Sequence, residues 1–432
     1  MLDLIKKYKN AISNSAWLLL EKLILLGIEF LVVSFVARSL GDEQFGIYSF
    51  IVAFVALLSP FTVFGLSGVL VRYCIDTKGH TIASTLSSAI ALRFFATFVV
   101  LIFVIVTLFY LDLGKEISIF IIGLACCEIF RSLNSVSSWF EANLKSKWTA
   151  KARVGAVSFS SLFKILGVFE GYGWSFFIIV IGFEILFHSI LLVMFFFRVS
   201  GERISLNKIN TRVSVELAVK GAPLLISSVG AIIYLKSDIL MIKFMLGDNF
   251  AGTYSAATRI SELAYVLPII AMTSIFPIMM QHKNSKKLEN FTNRALSLLF
   301  YAGLASSMFI FFYSKFIIEM LYGNMFEGSE SVLVIHAFVL PIVFIRAYLS
   351  KWIILKEVYF FSLITQLSGA VTNIIGNYFL ISRYGVNGAA IATLLSLFFA
   401  SIIPLYFFSK TRKIANAMLL SPLYPIRKVF NV

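Results

Sequence analysis

The chain has 432 residues, of which 59% are hydrophobic, 16% aromatic and only 14% charged. Soluble domains average about 45–50% apolar and about 25% charged residues, so this composition excludes an ordinary soluble enzyme, a disordered protein and a nucleic-acid-binding module. The net charge of +15 is better explained by basic loops on the cytoplasmic side of a membrane than by a nucleic-acid partner.

Twelve apolar segments follow one another along the chain, each close to the length of about 20 residues that crosses a bilayer. They cover residues 14–37, 46–71, 86–109, 117–140, 153–170, 174–197, 218–246, 252–280, 295–313, 331–350, 360–381 and 388–409. The pattern predicts an all-α polytopic membrane protein with 12 transmembrane helices. Two six-helix lobes (1–197 and 218–409) would be joined by a cytoplasmic linker (198–217) and followed by a cytoplasmic tail (410–432).

The distribution of basic residues gives the predicted orientation. With a cytoplasmic N-terminus, 25 Lys and Arg lie in cytoplasmic connections and four lie on the opposite side. Because Lys and Arg concentrate on the cytoplasmic side, this split favours twelve spans with both termini in the cytoplasm. The sequence has no phosphate-binding loop, zinc motif or paired CxxC, so no cofactor or metal is expected.

A ten-residue repeat marks the start of the second helix in each predicted half. Residues Leu40–Ser49 align without gaps on Leu246–Ser255, with six identical positions at an offset of 206. The motif suits a helix end, a tight turn and a new helix. We expect Gly41 and Gly247 to adopt positive φ and the aspartate after each to accept hydrogen bonds from the next helix. Six helices separate the copies, so the halves are predicted to be parallel repeats.

Three stretches carry a resemblance to a known family. Ser34–Tyr48 resembles the first hairpin of Wzx-type polysaccharide flippases in the multidrug/oligosaccharidyl-lipid/polysaccharide exporter superfamily. Asp238 with Leu246–Arg259 is similar to that family's seventh and eighth helices, and Tyr384–Thr393 to its last hairpin.

The resemblance implies two parallel lobes around a central cavity in a bacterial inner membrane. It implies a lipid-linked oligosaccharide on undecaprenyl pyrophosphate as substrate, turned from the cytoplasmic to the outer leaflet by alternating access without ATP. Membrane lipids, Na⁺ or H⁺, and polysaccharide polymerase machinery are the other expected partners.

Charged residues inside predicted spans are candidates for the functional site, because each costs at least about 2.5–3.5 kcal/mol at a helix centre. A pyrophosphate headgroup needs fixed positive charge in a low-dielectric cavity. The substrate-binding candidates are Lys22, Lys236, Lys243, Arg259 and, at the outer mouth, Arg38. The carboxylates that are candidates for ion coupling are Asp238, Glu29 and Glu21.

Helical spacing also predicts local charge pairs. The predicted pairs are Glu128–Arg131, Arg259–Glu262, Glu184–His188 and Lys22–Glu29, while Lys164 is expected to lean toward a helix end. Amide and hydroxyl groups such as those of Asn373 and Asn377 suit either sugar binding or contacts between helices.

Two other functions stay open. A multidrug exporter of the same superfamily would favour an apolar or acidic cavity for cationic drugs, against the excess of cations in the first, seventh and eighth segments. A membrane polysaccharide polymerase would be an enzyme with a large outer loop, whereas the longest predicted outer connection, 314–330, is short.

Overall fold

The computed structural model describes residues 2–76, 81–282, 287–358 and 360–424, and the regular structure within these ranges is entirely helical. The helices of the first half are α1 (Leu2–Val63), α2 (Ser67–Ile75), α3 (Ile82–Tyr110), α4 (Lys115–Cys127), α5 (Ser137–Ala142), α6 (Lys147–Phe169) and α7 (Trp174–Ser200). Those of the second half are α8 (Thr211–Leu246), α9 (Asp248–Ala264), α10 (Val266–Gln281), α11 (Lys287–Tyr322), α12 (Ser329–Ala337), α13 (Leu340–Lys356), α14 (Phe360–Tyr406) and α15 (Ser409–Leu419).

Eight helical stretches in the described part of the chain are long and apolar enough to cross a membrane. A ninth is obtained if α12 and α13, bent by 47°, form one broken span. These stretches contain residues of every predicted segment except 117–140. Two of the eight stretches each cover two predicted segments. The prediction of an all-helical, multi-pass membrane protein is therefore confirmed.

Helix α14 is one of these two stretches, and its two arms run antiparallel. The chain departs from helical geometry at Gly385 (φ 59°, ψ −140°). A Cβ on Gly388 would overlap the carbonyl of Leu380, and one on Gly376 would lie 3.1 Å from Ala392. Because residues this far apart along the chain are in contact, the chain must reverse its direction between them. The arms therefore match the predicted hairpin of segments 360–381 and 388–409.

The two repeat glycines have nearly the same backbone geometry. Gly41, inside α1, has φ 73° and ψ 176°, and Gly247, between α8 and α9, has φ 112° and ψ −179°. Such conformations are essentially restricted to glycine, so the expected positive φ is confirmed at both. The aspartates differ: Asp42 Oδ1 accepts the Glu43 amide at 2.9 Å, whereas Asp248 forms an ion pair with Lys243.

The predicted fourth span, 117–140, is not one continuous α-helix. Helix α4 ends at Cys127 and is followed by a nine-residue 3₁₀ segment, Glu128–Val136. In this region the Ser135 and Ser137 hydroxyls bond the carbonyls of Ser132 and Asn134 at 2.8 and 2.7 Å. Serine side chains can compete in this way with regular helical bonding, and the segment is rich in them.

The residues group into two compact units. Unit 1 comprises Met1–Leu40 and Ile51–Val229, and unit 2 comprises Gly41–Phe50 and Gly230–Val432. Apart from Leu40, the first copy of the repeat therefore belongs to the same unit as the second copy. A continuous core in unit 2 is built on α10, α11, α13, α14 and α15 around Tyr348 and Trp352.

Candidate functional site

The candidate site in unit 2 is a buried polar cluster around Asp238 of α8, which is 3% exposed. Its Oδ1 accepts a hydrogen bond from Asn377 Nδ2 at 2.6 Å. Its Oδ2 accepts from the Tyr254 hydroxyl and from Thr393 Oγ1, each at 2.5 Å. Among the described residues no Lys or Arg forms an ion pair with Asp238. Neutral donors from α9 and from both arms of α14 therefore hold this carboxylate.

Two asparagines extend the cluster along one arm of α14. Asn373 Oδ1 accepts from Ser237 Oγ at 2.7 Å and from Asn377 Nδ2 at 3.1 Å. Asn377 Oδ1 and Asn373 Nδ2 are buried with no protein partner among the described atoms. Buried polar atoms nearly always have a hydrogen-bond partner. A small polar ligand beside these two atoms would supply the missing hydrogen bonds.

A cavity of about 20 Å³ lies beside Asp238, and its lining includes Tyr254, Glu262, His336 and Thr393. A volume of this size is enough for one water molecule or a small cation. The His336 ring lies 3.2 Å from the Tyr254 hydroxyl and 3.4 Å from Ser261 Oγ. The carboxylate and hydroxyl groups among the lining residues are the donor type that a hard cation prefers.

The predicted cations of unit 2 have different surroundings. Lys236 forms an ion pair with Glu262 at 3.1 Å, so the predicted Arg259–Glu262 pair is replaced by a contact between α8 and α9. Lys243 pairs with Asp248 and lies over the Phe50 ring.

Arg259 is half-buried and lies over the rings of Phe45 and Tyr48, at 5.4 and 5.9 Å. No carboxylate among the described residues pairs with it. Cation–π contact leaves the guanidinium N–H groups available, and Arg259 is therefore the predicted cation best suited to receive an anionic group.

The remaining predicted residues belong to unit 1. Lys22 and Arg38 are exposed, and Glu29 lies 3.8 Å from Arg153 of α6. That contact joins two helices, and the Lys22–Glu29 pair stays a prediction. The side chain of Glu21 lies outside the described residues.

Unit 1 also contains ion pairs in which one partner is buried. The predicted Glu128–Arg131 pair is confirmed at 2.8 Å. Glu184 pairs with Lys164 at 3.2 Å rather than with His188. Lys164 is 6% exposed, so the expectation that it leans toward a helix end is wrong. A carboxylate on the adjacent helix stabilises the ammonium group where it lies.

The two repeat copies pack against each other within unit 2. A Cβ on Gly46 would overlap the Asp248 carbonyl, and a Cβ on Gly252 would overlap the Asp42 carbonyl. The first turns of the two helices therefore cross at a pair of equivalent glycines. Only the absence of both side chains permits this approach.

Sequence reasoning singled out Asp238 but missed its partners Tyr254 and Thr393, and it missed His336, which contacts the Tyr254 hydroxyl. Tyr254 is one of the six identical positions of the repeat, and Thr393 ends the stretch that resembles the last family hairpin. Those two signals were available, although neither placed the side chains beside Asp238. His336 had no signal, because a single histidine in an apolar segment is usually a core residue.

Comparison with known proteins gives consistent matches. The family model described as "Polysaccharide biosynthesis protein" matches residues 11–283. A protein of Haloferax volcanii described as a low-salt glycan biosynthesis flippase, Agl15, is 23% identical over 395 residues, covering 89% of this chain and 80% of the relative. A protein of Shigella flexneri described as an O-antigen transporter is 23% identical over 402 residues, covering 89% and 94%.

Two solved structures show the same fold. The lipid II flippase MurJ, in an inward closed conformation, matches with a TM-score of 0.72 at 18% identity, covering 95% of this chain and 91% of that one. An inward-facing multidrug resistance transporter of the MATE family, within the MOP superfamily, matches with a TM-score of 0.62 at 14% identity, covering 91% and 94%.

Proposed function

The chain belongs to the polysaccharide biosynthesis protein family, and from that premise we propose that it is a flippase for a lipid-linked oligosaccharide. The observation that carries the proposal is the family match over residues 11–283, together with two relatives described as a glycan biosynthesis flippase and an O-antigen transporter. The protein is a transporter of the inner membrane rather than an enzyme.

The proposed architecture has twelve transmembrane helices in two parallel six-helix lobes, 1–197 and 218–409, around a central cavity. The linker 198–217, the tail 410–432 and both termini are cytoplasmic. Three observations support it: the antiparallel arms of α14, the matching geometry of Gly41 and Gly247, and the distribution of Lys and Arg.

The proposed substrate carries an oligosaccharide on undecaprenyl pyrophosphate and moves from the cytoplasmic to the outer leaflet. Arg259 is the residue proposed to bind the headgroup first, because its charge has no carboxylate partner among the described residues. Lys236 and Lys243 would exchange Glu262 and Asp248 for phosphate oxygens during transport. Lys22 and Arg38, which are exposed, complete the proposed set in unit 1.

Asp238 is the proposed coupling carboxylate. Glu29 has a cationic neighbour in Arg153, whereas Asp238 has neutral donors and borders a small cavity whose lining includes further carboxylate and hydroxyl groups. We propose that Na⁺ or H⁺ binds at Asp238 and that its release drives alternating access. The polysaccharide polymerase machinery is the proposed partner that consumes the flipped product.

The test is lipid extraction from a deletion strain of the native host. The flippase proposal expects a complete polyprenyl-linked oligosaccharide to accumulate on the cytoplasmic side. Wild-type protein should clear it and the Lys236→Ala/Arg259→Ala variant should not. A matched control is Lys315→Ala, because Lys315 is exposed and pairs only loosely with Glu319 at 3.9 Å.

The alternative function is supported by the fold shared with the multidrug resistance transporter. If the lipid pool of the deletion strain is unchanged while its sensitivity to cationic dyes rises, the flippase proposal is wrong and drug export takes its place.

A further inference from the structure

Helix α15, Ser409–Leu419, begins three residues after the last candidate span ends at Tyr406. Its eleven residues would extend about 16 Å, which is too short to cross a bilayer. The helix therefore does not form a membrane span of its own, and its surface determines what it contacts.

One face of α15 is fixed to the protein. Thr411, Ile414, Ala415 and Met418 are buried, and their spacing of three and four residues is that of a single helical face. The three apolar members belong to the core of unit 2. This face is therefore already covered and is not a docking surface.

The outward face of α15 is basic and is flanked by apolar side chains. Lys410, Arg412 and Lys413 are exposed. Phe407 before the helix is 74% exposed, and Leu420 and Leu423 after it are 37% and 45% exposed. A basic helix with exposed apolar residues at both ends is typical of a segment that lies in the lipid headgroup layer.

The segment after α15 runs beside the membrane-facing flank of the bundle. The Tyr301 hydroxyl donates to the Pro422 carbonyl at 2.8 Å. Tyr301 lies inside the candidate span Leu288–Tyr322, and Leu298, one turn earlier, is 69% exposed. Residues 421–423 therefore pack against α11, as α15 does, so the basic face of α15 lies next to a candidate membrane span.

From these contacts we propose that α15 and its apolar flanks bind the headgroups of anionic phospholipids at the cytoplasmic surface. The positive face complements the negative charge of that leaflet, while Phe407, Leu420 and Leu423 reach the acyl boundary. The inference concerns the surrounding bilayer and does not depend on which substrate is transported.

The experiment compares full-length wild-type protein with Lys410→Gln/Lys413→Gln. Arg412 stays unchanged because its Nε donates to the Tyr406 carbonyl at 2.8 Å. Phosphatidylglycerol or phosphatidylcholine is titrated into the purified protein in neutral detergent, and the shift of the unfolding midpoint gives the apparent affinity. The matched control, Arg203→Gln/Lys208→Gln, removes two exposed charges from the predicted cytoplasmic linker.

Wild type and the linker control should be stabilised by phosphatidylglycerol more than by phosphatidylcholine, and less so at high salt. The α15 variant should bind phosphatidylglycerol about 30-fold more weakly, roughly fivefold for each lysine. Its midpoint in detergent alone should equal that of wild type, because neither lysine contacts the core.

Three results would overturn the proposal. In the first, the α15 variant responds to phosphatidylglycerol as wild type does. In the second, the linker control loses as much affinity as the α15 variant. In the third, the purified protein is a dimer that the α15 substitutions dissociate, so that a second copy covers this face.

Discussion

The two units of the protein hold their buried carboxylates in opposite ways. In unit 1, Glu128 pairs with Arg131 and Glu184 with Lys164, at 2.8 and 3.2 Å. In unit 2, the oxygens of Asp238 accept hydrogen bonds only from neutral donors among the described residues. A carboxylate paired with a fixed cation is already neutralised, whereas one held by neutral donors retains its affinity for a mobile cation.

If Asp238 has the proposed coupling role, the difference separates a structural from a functional use of charge inside a membrane. Both arrangements avoid an unpaired charge in hydrocarbon, which is costly. Lys164 brings a permanent positive charge to Glu184, and Ser160 Oγ adds a hydrogen bond at 2.5 Å. Unit 2 has hydroxyl and amide groups where unit 1 has an ammonium group. Substitutions that remove one carboxylate should therefore affect the two units differently.

The largest effect is expected for Asp238→Asn. The amide is nearly isosteric and retains an acceptor oxygen, so the variant should fold with a midpoint close to that of wild type. Cation binding needs the carboxylate charge, so transport should fall by at least two orders of magnitude. The measurements are clearance of the accumulated lipid in the deletion strain and Na⁺-dependent or pH-dependent thermal stabilisation of the purified protein. Full transport by Asp238→Asn would remove this residue from the coupling mechanism.

Glu184→Gln should show the opposite result, a loss of stability without a change in the ion dependence of transport. It leaves Lys164 buried without its carboxylate, and removing one partner of a buried ion pair costs about 3 kcal/mol or more. The unfolding midpoint should fall while the ion dependence of transport in the remaining folded protein is unchanged. Lys164→Met/Glu184→Leu should recover most of the stability because both charges are then absent. If the double variant is as unstable as Glu184→Gln, the pair is not the source of the loss.

Sequence alone predicted the helical membrane fold and the positive φ of both repeat glycines, because hydropathy and glycine-rich turns are local signals. Intramembrane charge is also a local signal, and it made Asp238 a candidate whose role stays a prediction. It failed where tertiary contacts decide the outcome. Glu184 has His188 at helical spacing but meets Lys164 of the neighbouring helix. Likewise, Tyr254 and Thr393 are 139 residues apart in the chain and converge on one carboxylate oxygen. Spacing within one helix cannot reveal which side chain faces it from another.

An intermediate effect is expected where the repeat copies cross. Gly252→Ala forces a Cβ into the Asp42 carbonyl, and overpacking of this kind typically costs about 1–3 kcal/mol. Gly123→Ala is the matched control, since no atom lies within 4 Å of its added Cβ. An alanine inside a helix there should be neutral or stabilising by up to about 1 kcal/mol. Equal unfolding midpoints for the two variants would contradict the proposed close crossing.

The smallest effect is expected at the two tyrosines that occupy equivalent positions of the repeat. Tyr254 donates to Asp238 at 2.5 Å and lines its cavity, whereas Tyr48 stacks on Phe45 with Arg259 over its ring. Tyr254→Phe removes one oxygen from the cation's surroundings but leaves the carboxylate and Thr393. The cation concentration for half-maximal stabilisation should therefore rise about tenfold, the equivalent of one hydrogen bond to a charged group. Tyr48→Phe keeps the ring that Arg259 contacts and should leave this concentration unchanged. If both substitutions shift the cation dependence equally, the response belongs to the repeat contact rather than to Asp238, and the contrast between the two units would no longer explain coupling.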